Sequence, residues 1–432
     1  MQEKTIALEI VKYPARDRWK ALTARPTADA SALFPTVRKV LDDVKQNGDL
    51  AVFAYEEKFD HVSLSALEVS ALEKTAANQL LSDDLKHAIR TAAQNIRTFH
   101  AAQKHDLPKI ETTAGVSCWQ KAVAIEKVGL YIPGGTAPLF STVLMLGIPA
   151  QIAGCKEVIL CSPPDKNGNI HPAILYAAET AGVHRIFKIG GIQAIAAMSY
   201  GTESVPQVYK IFGPGNQYVT AAKQLVSLKD VAIDMPAGPS EVEVMADETA
   251  HPAFVAADML SQAEHGVDSQ AVLVTTSETL AQAVVEEIAL QMQSLPRSEY
   301  ILKSLSHSKI IVLKDETEML ELTNLYAPEH LIIETRQAMT LAAQITNAGS
   351  VFIGHYTPES AGDYASGTNH TLPTNGYARA YSGVNLDSFM KKITFQEITQ
   401  EGIRQIGDVI EIMAANEQLF AHKNAVSIRR KK

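Results

Sequence analysis

The chain has 432 residues, enough for at least two domains at roughly 100–200 residues each. Hydrophobic residues make up 46% and charged residues 20%, so most of the chain can bury a core and extended disorder is excluded. Asp and Glu number 48 against 39 Lys and Arg, a net charge of -9 that argues against a general nucleic-acid binder; the basic end at Arg429–Lys432 is short.

Elements are read in chain order. Ala30–Gln46 has helical apolar spacing and stops at Asn47–Gly48, a reasonable C-cap. Ala71–Lys104 contains a long helical stretch. Gly115–Ile125 and Lys127–Ile132 alternate as strands do. A rhythm of short apolar run and helix follows: Val158–Cys161 then His171–Ala181, Arg185–Ile189 then Gln193–Tyr200, Val208–Phe212 then Gln217–Leu228. It restarts at Glu241–Met245 and runs through Pro252–Glu264, Ala271–Thr275, Glu278–Gln293, Ile310–Leu313, Thr317–Tyr326, Leu331–Ile333 and Arg336–Asn347 to Ser350–Ile353. Such alternation is the signature of parallel sheets with crossover helices, so two α/β arrays are expected. After Gly354 comes a polar loop to about Gly376, then helices expected near Asp387–Thr399 and Glu401–Phe420.

Cys118, Cys155 and Cys161 form neither an even disulfide framework nor a Cys-x-x-Cys pair, which suits a reducing compartment. No apolar run reaches the ~18 residues of a membrane span; the longest, Pro138–Gly154, is interrupted by Ser141, Thr142, Pro149 and Gln151. The N-terminus lacks the apolar centre of a signal peptide, so a cytoplasmic protein without membrane or nucleic-acid partners is expected.

Six places could carry chemistry. In Ser261–Gly266, Gln262 shares a helical face with Val255 and Met259, and His265 lies three residues further on. Such a pair can aim two donors at one metal, or His265 can simply complement the helix dipole. In Pro358–His370, Asp363 and His370 sit on an unusually polar loop after a strand end, where α/β proteins build sites; a turn-forming Asp is the alternative. Glu329–His330 supplies two groups able to move protons near neutrality, or two solvated loop residues. Gly-rich turns at Tyr131–Thr136 and Phe212–Asn216 precede helices, where free N–H groups can cradle phosphate. Neither completes G-x-G-x-x-G, since Tyr218 stands at the third position of the latter, and tight packing turns are the alternative. Last, Ile403, Ile406, Ile410, Met413 and Phe420 form an apolar helical stripe that Glu417 interrupts, either as the helix ends or as a carboxylate entering a polar site.

Together the strings YIPGGTAPLFSTVLMLGIPA, KIFGPGN, IDMPAGPSEV, SQAEHG, YAPEHLII, TPESAGDYASGTNH and AHKNAV resemble the histidinol dehydrogenases, NAD-dependent zinc enzymes of histidine biosynthesis, from about residue 30 to about 428. The resemblance implies oxidation of L-histidinol to L-histidine through the aldehyde. It implies one Zn2+ per subunit on Gln262, His265, Asp363 and His422, with Glu329 and His330 moving protons. Ser240, His370 and Glu417 would contact substrate alongside Gln262, His265, His330, Asp363 and His422; Tyr131, Gln193 and Asn216 would lie around NAD. It also implies a homodimer whose exchanged tail completes each site. Glu417 and His422 are five apart, about 140° on a straight helix, so they converge only if the helix ends between them. The expected fold is α/β: a helical N-terminal part (1–110) partly packed on the second sheet domain, two Rossmann-like domains (111–238 and 239–376) and a C-terminal helical tail (377–432). A zinc hydrolase using Glu329 or Glu264, and a non-catalytic binding protein, are the competing classes; a hydrolase has no need of the Gly turns.

Overall fold

The computed structural model describes residues 8–26, 30–105, 107–134, 138–236 and 238–431. Fourteen strands are named in chain order: β1 Glu9–Lys12, β2 Ile110–Thr113, β3 Val116–Ala124, β4 Lys127–Tyr131, β5 Glu157–Ser162, β6 Arg185–Lys188, β7 Lys210–Phe212, β8 Ala232–Ile233, β9 Glu241–Ala246, β10 Gln270–Thr275, β11 Lys309–Val312, β12 His330–Glu334, β13 Ser350–Ile353 and β14 Met390–Ile398.

The expected rhythm produces two parallel sheets. The first has the order β6-β5-β4-β7-β8 and the second β1-β11-β10-β9-β12-β13. Leaving β1 aside, both run third-second-first-fourth-fifth in their own strand sequence, the doubly wound order. Each therefore reverses direction of winding once, between β4 and β7 and between β9 and β12. Their strands read as near-continuous apolar runs because helices cover both faces: β10 and β12 are buried throughout. Separate apolar clusters fill the two faces of each sheet. The helix Phe140–Ala153 is apolar on all sides, contains Pro149, and is buried from Ser141 to Ala150. Among the described residues no helix is long and apolar enough to cross a membrane.

The structure corrects several expectations. The N-terminal part is not wholly helical: β1 lies parallel to β11 at the edge of the second sheet, with Glu9 opposite Lys309. Its helices Phe34–Tyr55 and Asp83–Ala101 instead pack on the first unit, against Gly191–Tyr200 and Phe140–Ala153. Gly48 does not end its helix. It kinks the helix through a left-handed backbone (φ 54°, ψ -135°), and the chain stays helical to Tyr55. The stretch 71–104 divides where Ser82 caps the helix Asp83–Ala101 by accepting the Leu85 N–H. The helix expected over 336–347 spans only Ala338–Ala342, and Ser298–Leu305 is an unforeseen helix.

The largest correction is in the tail. The expected helix at 387–399 is mostly strand β14, paired antiparallel with β3 along its whole length, from Met390 opposite Ala124 to Ile398 opposite Val116. Phe395 stacks on Trp119 at 5.5 Å between ring centroids. Two helices follow, Gln400–Asn416 and Phe420–Arg430, separated by Gln418 in a left-handed conformation (φ 61°).

Candidate active site

The cluster of interest forms at the amino-terminal edge of the second sheet. His330 opens β12 opposite Val242 and Ser350, and Glu329 precedes it in the same turn. The helix Pro252–Ala263 runs back against the sheet, so its carboxyl end brings Gln262 and then His265 to that same edge. The chain leaving β13 forms the short helix Glu359–Tyr364, which places Glu359 and Asp363 one turn apart on one face. Three segments distant in sequence thus meet.

Their groups lie close together. One ligand atom each from His265, Glu359 and Asp363 falls within 4.8 Å of the others. His330 Nδ1 lies 3.5 Å from Glu359 and 3.6 Å from Glu329, and its Nε2 lies 3.7 Å from Asp363. The Glu241 backbone frames the pair: its N–H donates to Glu329 Oε2 at 2.9 Å, and its carbonyl lies 3.4 Å from His330 Nδ1. A proton on Nδ1 faces that carbonyl, leaving Nε2 as the acceptor. His370 is held by the Asp363 carbonyl (3.0 Å) and by Thr142 (3.0 Å), the latter from the first unit. Asn369 donates to the carbonyl of Met145 in the same helix, so the cluster faces the junction of the two units.

Burial sets the charge states. It pushes His330 down to about 3 and His370 to about 4, so both rings are neutral. It pushes Asp363 up to about 7, and raises Glu329 and Glu359 well above the ordinary carboxylate range, with Asp363 adding repulsion to both. Such a crowd of carboxyls is costly unless a cation joins it, and a cation reverses these upward shifts. Two observations fit a metal here. The Gln262 side chain is fully buried with neither its oxygen nor its nitrogen hydrogen-bonded, and both Glu359 oxygens are equally unpartnered. An amide oxygen, an imidazole and carboxylates form a donor set that zinc accepts.

A second focus lies at the carboxyl edge of the first sheet. Tyr131 ends β4, while Gln193 and Asn216 follow β6 and β7, beside the point where winding reverses. Gly213 (φ 123°) leaves room there that a side chain would fill against the Tyr131 carbonyl. Asn216 is exposed and caps the helix Gln217–Ser227 by accepting the N–H groups of Tyr218 and Val219. Tyr131 accepts the Gly191 N–H at 3.1 Å. Gln193 is fully buried and donates to Glu56 (2.9 Å) and Asp60 (3.2 Å), both from the N-terminal part. Gly135 and Thr136 of the first Gly-rich turn lie outside the described residues.

The structure therefore gathers Gln262, His265, Glu329, His330, Asp363 and His370, with half-buried Ser240 adjoining through Glu241. It does not bring Glu417 or His422 to them. Both are exposed on the tail, and no hydrogen bond or ion pair among the described residues joins either to the cluster. The helix does end between them, as their convergence requires. Sequence reading missed Glu359, although its position four residues before Asp363 was a usable signal. It also missed Glu56, Asp60 and Glu241, whose roles exist only in the folded chain. The cysteines stay apart from the cluster; burial pushes the Cys155 thiol up to about 12 and raises Cys161 as well.

Two doubly wound units with neutral imidazoles and crowded carboxyls at their junction define an α/β enzyme. The family profile described as histidinol dehydrogenase matches residues 23–430. The histidinol dehydrogenase of Bacteroides thetaiotaomicron is 66% identical over 422 residues, covering 98% of this chain and 99% of its own, and that of Escherichia coli K12 is 53% identical over 416 residues, covering 96% and 95%. A crystal structure of histidinol dehydrogenase from Elizabethkingia anophelis matches with a TM-score of 0.97 at 56% identity, covering 99% of each chain. The chain belongs to the histidinol dehydrogenase family and is an oxidoreductase.

Proposed function

We propose that the protein oxidises L-histidinol to L-histidine through L-histidinaldehyde, reducing two NAD, as the last step of histidine biosynthesis in the cytoplasm. The observation that carries this reading is the buried cluster itself: a neutral His330 with a free Nε2, beside Glu329 and an unpartnered Gln262 amide. Gln262, His265 and Asp363 would hold zinc, with Glu359 close enough to join them. Zinc bound there would supply a cationic anchor for the substrate's amine and imidazole, and NAD at Tyr131, Gln193 and Asn216 would supply the hydride acceptor.

His330 accepts the hydroxyl proton at Nε2 as the carbinol carbon gives up its hydride, and the carbonyl forms. Glu329 then takes a proton from water as the water oxygen bonds to the aldehyde carbon, while His330 returns its proton to the former carbonyl oxygen, which completes the hydrate and restores the neutral ring. The hydrate loses a second hydride and, to His330, one hydroxyl proton, and the acid formed releases its remaining proton to solvent, leaving the carboxylate. Ser240 and His370 orient the substrate, and this retention keeps the aldehyde in place between steps.

We assign the remaining zinc ligand, His422, and the remaining substrate contact, Glu417, to the tail of a second copy. Ile412, Met413, Leu419 and Phe420 are exposed around them, an apolar surface that a homodimer would cover. We divide the chain accordingly into parts 1–110, 111–238, 239–376 and 377–432. Zinc-loaded protein given histidinol and NAD should produce about two NADH per histidine, read as absorbance of the reduced nicotinamide. Absence of NADH would overturn the reading.

A further inference from the structure

Arg25 belongs to the N-terminal part, far in sequence from the cluster, yet its guanidinium touches the frame of both proton-transfer residues. Its Nε and Nη2 engage the two carboxylate oxygens of Glu241, the latter at 2.8 Å. The same Nη2 donates to the carbonyls of Tyr326 (2.8 Å) and Ala327 (3.3 Å). The guanidinium stacks 4.0 Å from the ring centroid of Tyr326, which is itself fixed by a 2.8 Å bond to Gln270. Gln270 returns to the carbonyl of Ala24, closing the loop beside Arg25. The ion pair is nearly sealed from solvent, with side-chain exposures of 12% and 2%.

These contacts converge on Glu329 and His330 from two sides. Glu241 is the residue whose N–H holds Glu329 and whose carbonyl faces His330 Nδ1. Tyr326 and Ala327 are the residues that lead into Glu329, and Ala327 has a left-handed backbone (φ 55°) that a side chain tolerates poorly. The two carbonyl bonds hold that turn. Only a planar fork with several donors serves all these acceptors at once; an ammonium at the same place has the charge without the geometry.

We infer that Arg25 is a positioning residue for the reaction, clamping the Glu241 and 326–327 backbones so that Glu329 and His330 share one fixed geometry. This rests on the roles proposed for Glu329 and His330. Arg25→Lys should lower kcat by about 10²-fold, the scale of a small misplacement, with the histidinol KM and bound zinc close to the parent. Its effect should be non-additive with Glu329→Gln: in the Glu329→Gln background, Arg25→Lys should cost clearly less than in the parent, because one of the two groups it positions is already lost. Glu241→Gln keeps the backbone N–H and the shape of the pair. If Arg25→Lys fails to fold, it replaces it in the same cycle, with a smaller loss of kcat expected. Parental turnover in a folded Arg25→Lys chain, or fully additive losses in the cycle, overturns the inference. Parental turnover in Glu329→Gln alone overturns instead the function on which it rests.

Discussion

His330 holds an uncharged ring because it is buried at a strand start, and it has a defined free nitrogen because the Glu241 carbonyl occupies the other. His330→Asn should therefore slow turnover by about 10²–10⁴-fold while leaving zinc content and histidinol binding near the parent, a split read by elemental analysis and calorimetry. His265→Asn should do the reverse and lower metal content; unchanged zinc would remove it from the ligand set. Glu56 offers a test away from the proposed zinc site. Burial, with Asp60 nearby, pushes it from 4.5 up to about 8, so it folds protonated. Its contribution to stability is complete below pH ~4.5 and is lost as pH rises through about 8. Glu56→Gln mimics the protonated form, so its urea midpoint should fall less than the parent's between pH 5 and 9. The difference should be roughly 2–4 kcal/mol. Equal pH profiles would show that Glu56 is not buried as a neutral acid. At this scale the sequence marked candidates where chemistry is contiguous, as in Glu329–His330, or spaced for one helix face, as in Gln262 and His265. Arg25, Glu241 and Glu56 were not marked, because an isolated Arg or Glu carries no local mark of a partner more than a hundred residues away.

Strands of the two sheets were readable because burial on both faces leaves unbroken apolar runs between turns. The tail segment 387–399 was misread for a physical reason. Met390, Ile393, Phe395 and Ile398 satisfy neither a period of two nor one of 3.6 throughout, so local pattern could not decide. Pairing with β3 decided it, and that partner lies more than 250 residues earlier. The junction before the strand is Phe389, fully buried and stacked on Phe212 at 4.1 Å between centroids. Phe389→Ala should destabilise the chain by about 3–5 kcal/mol, read from urea unfolding. A loss under ~1 kcal/mol would show that the tail is anchored elsewhere.

Across the whole molecule, two arrays with the same winding order were foreshadowed by the repeated strand–helix rhythm. The site between them was not foreshadowed, since the cluster forms at the amino edge of the second sheet rather than the carboxyl edge that doubly wound folds ordinarily use. If the tail of one copy completes the site of another, mixing Glu417→Ala chains with Glu329→Gln chains should restore activity in mixed dimers. Up to one intact site per pair is expected, so recovery should approach half of the parent at most. Verified mixed dimers that stay inactive would place Glu417 outside the shared site.

Strand β1 adds a timing constraint to synthesis. It emerges from the ribosome before the rest of its sheet, and its partner β11 begins about 300 residues later. At ~5–20 residues per second, the leading strand waits roughly 15–60 s while the whole first sheet unit is made and can fold. The Arg25 side chain waits equally long, for the turn before β12. The second unit is thus wrapped around the first in the order of translation. An unpaired β1 exposed in that interval is a natural target for chaperones, and a nascent chain stopped before β11 should remain protease-sensitive at its N-terminus while its first sheet unit is already protected.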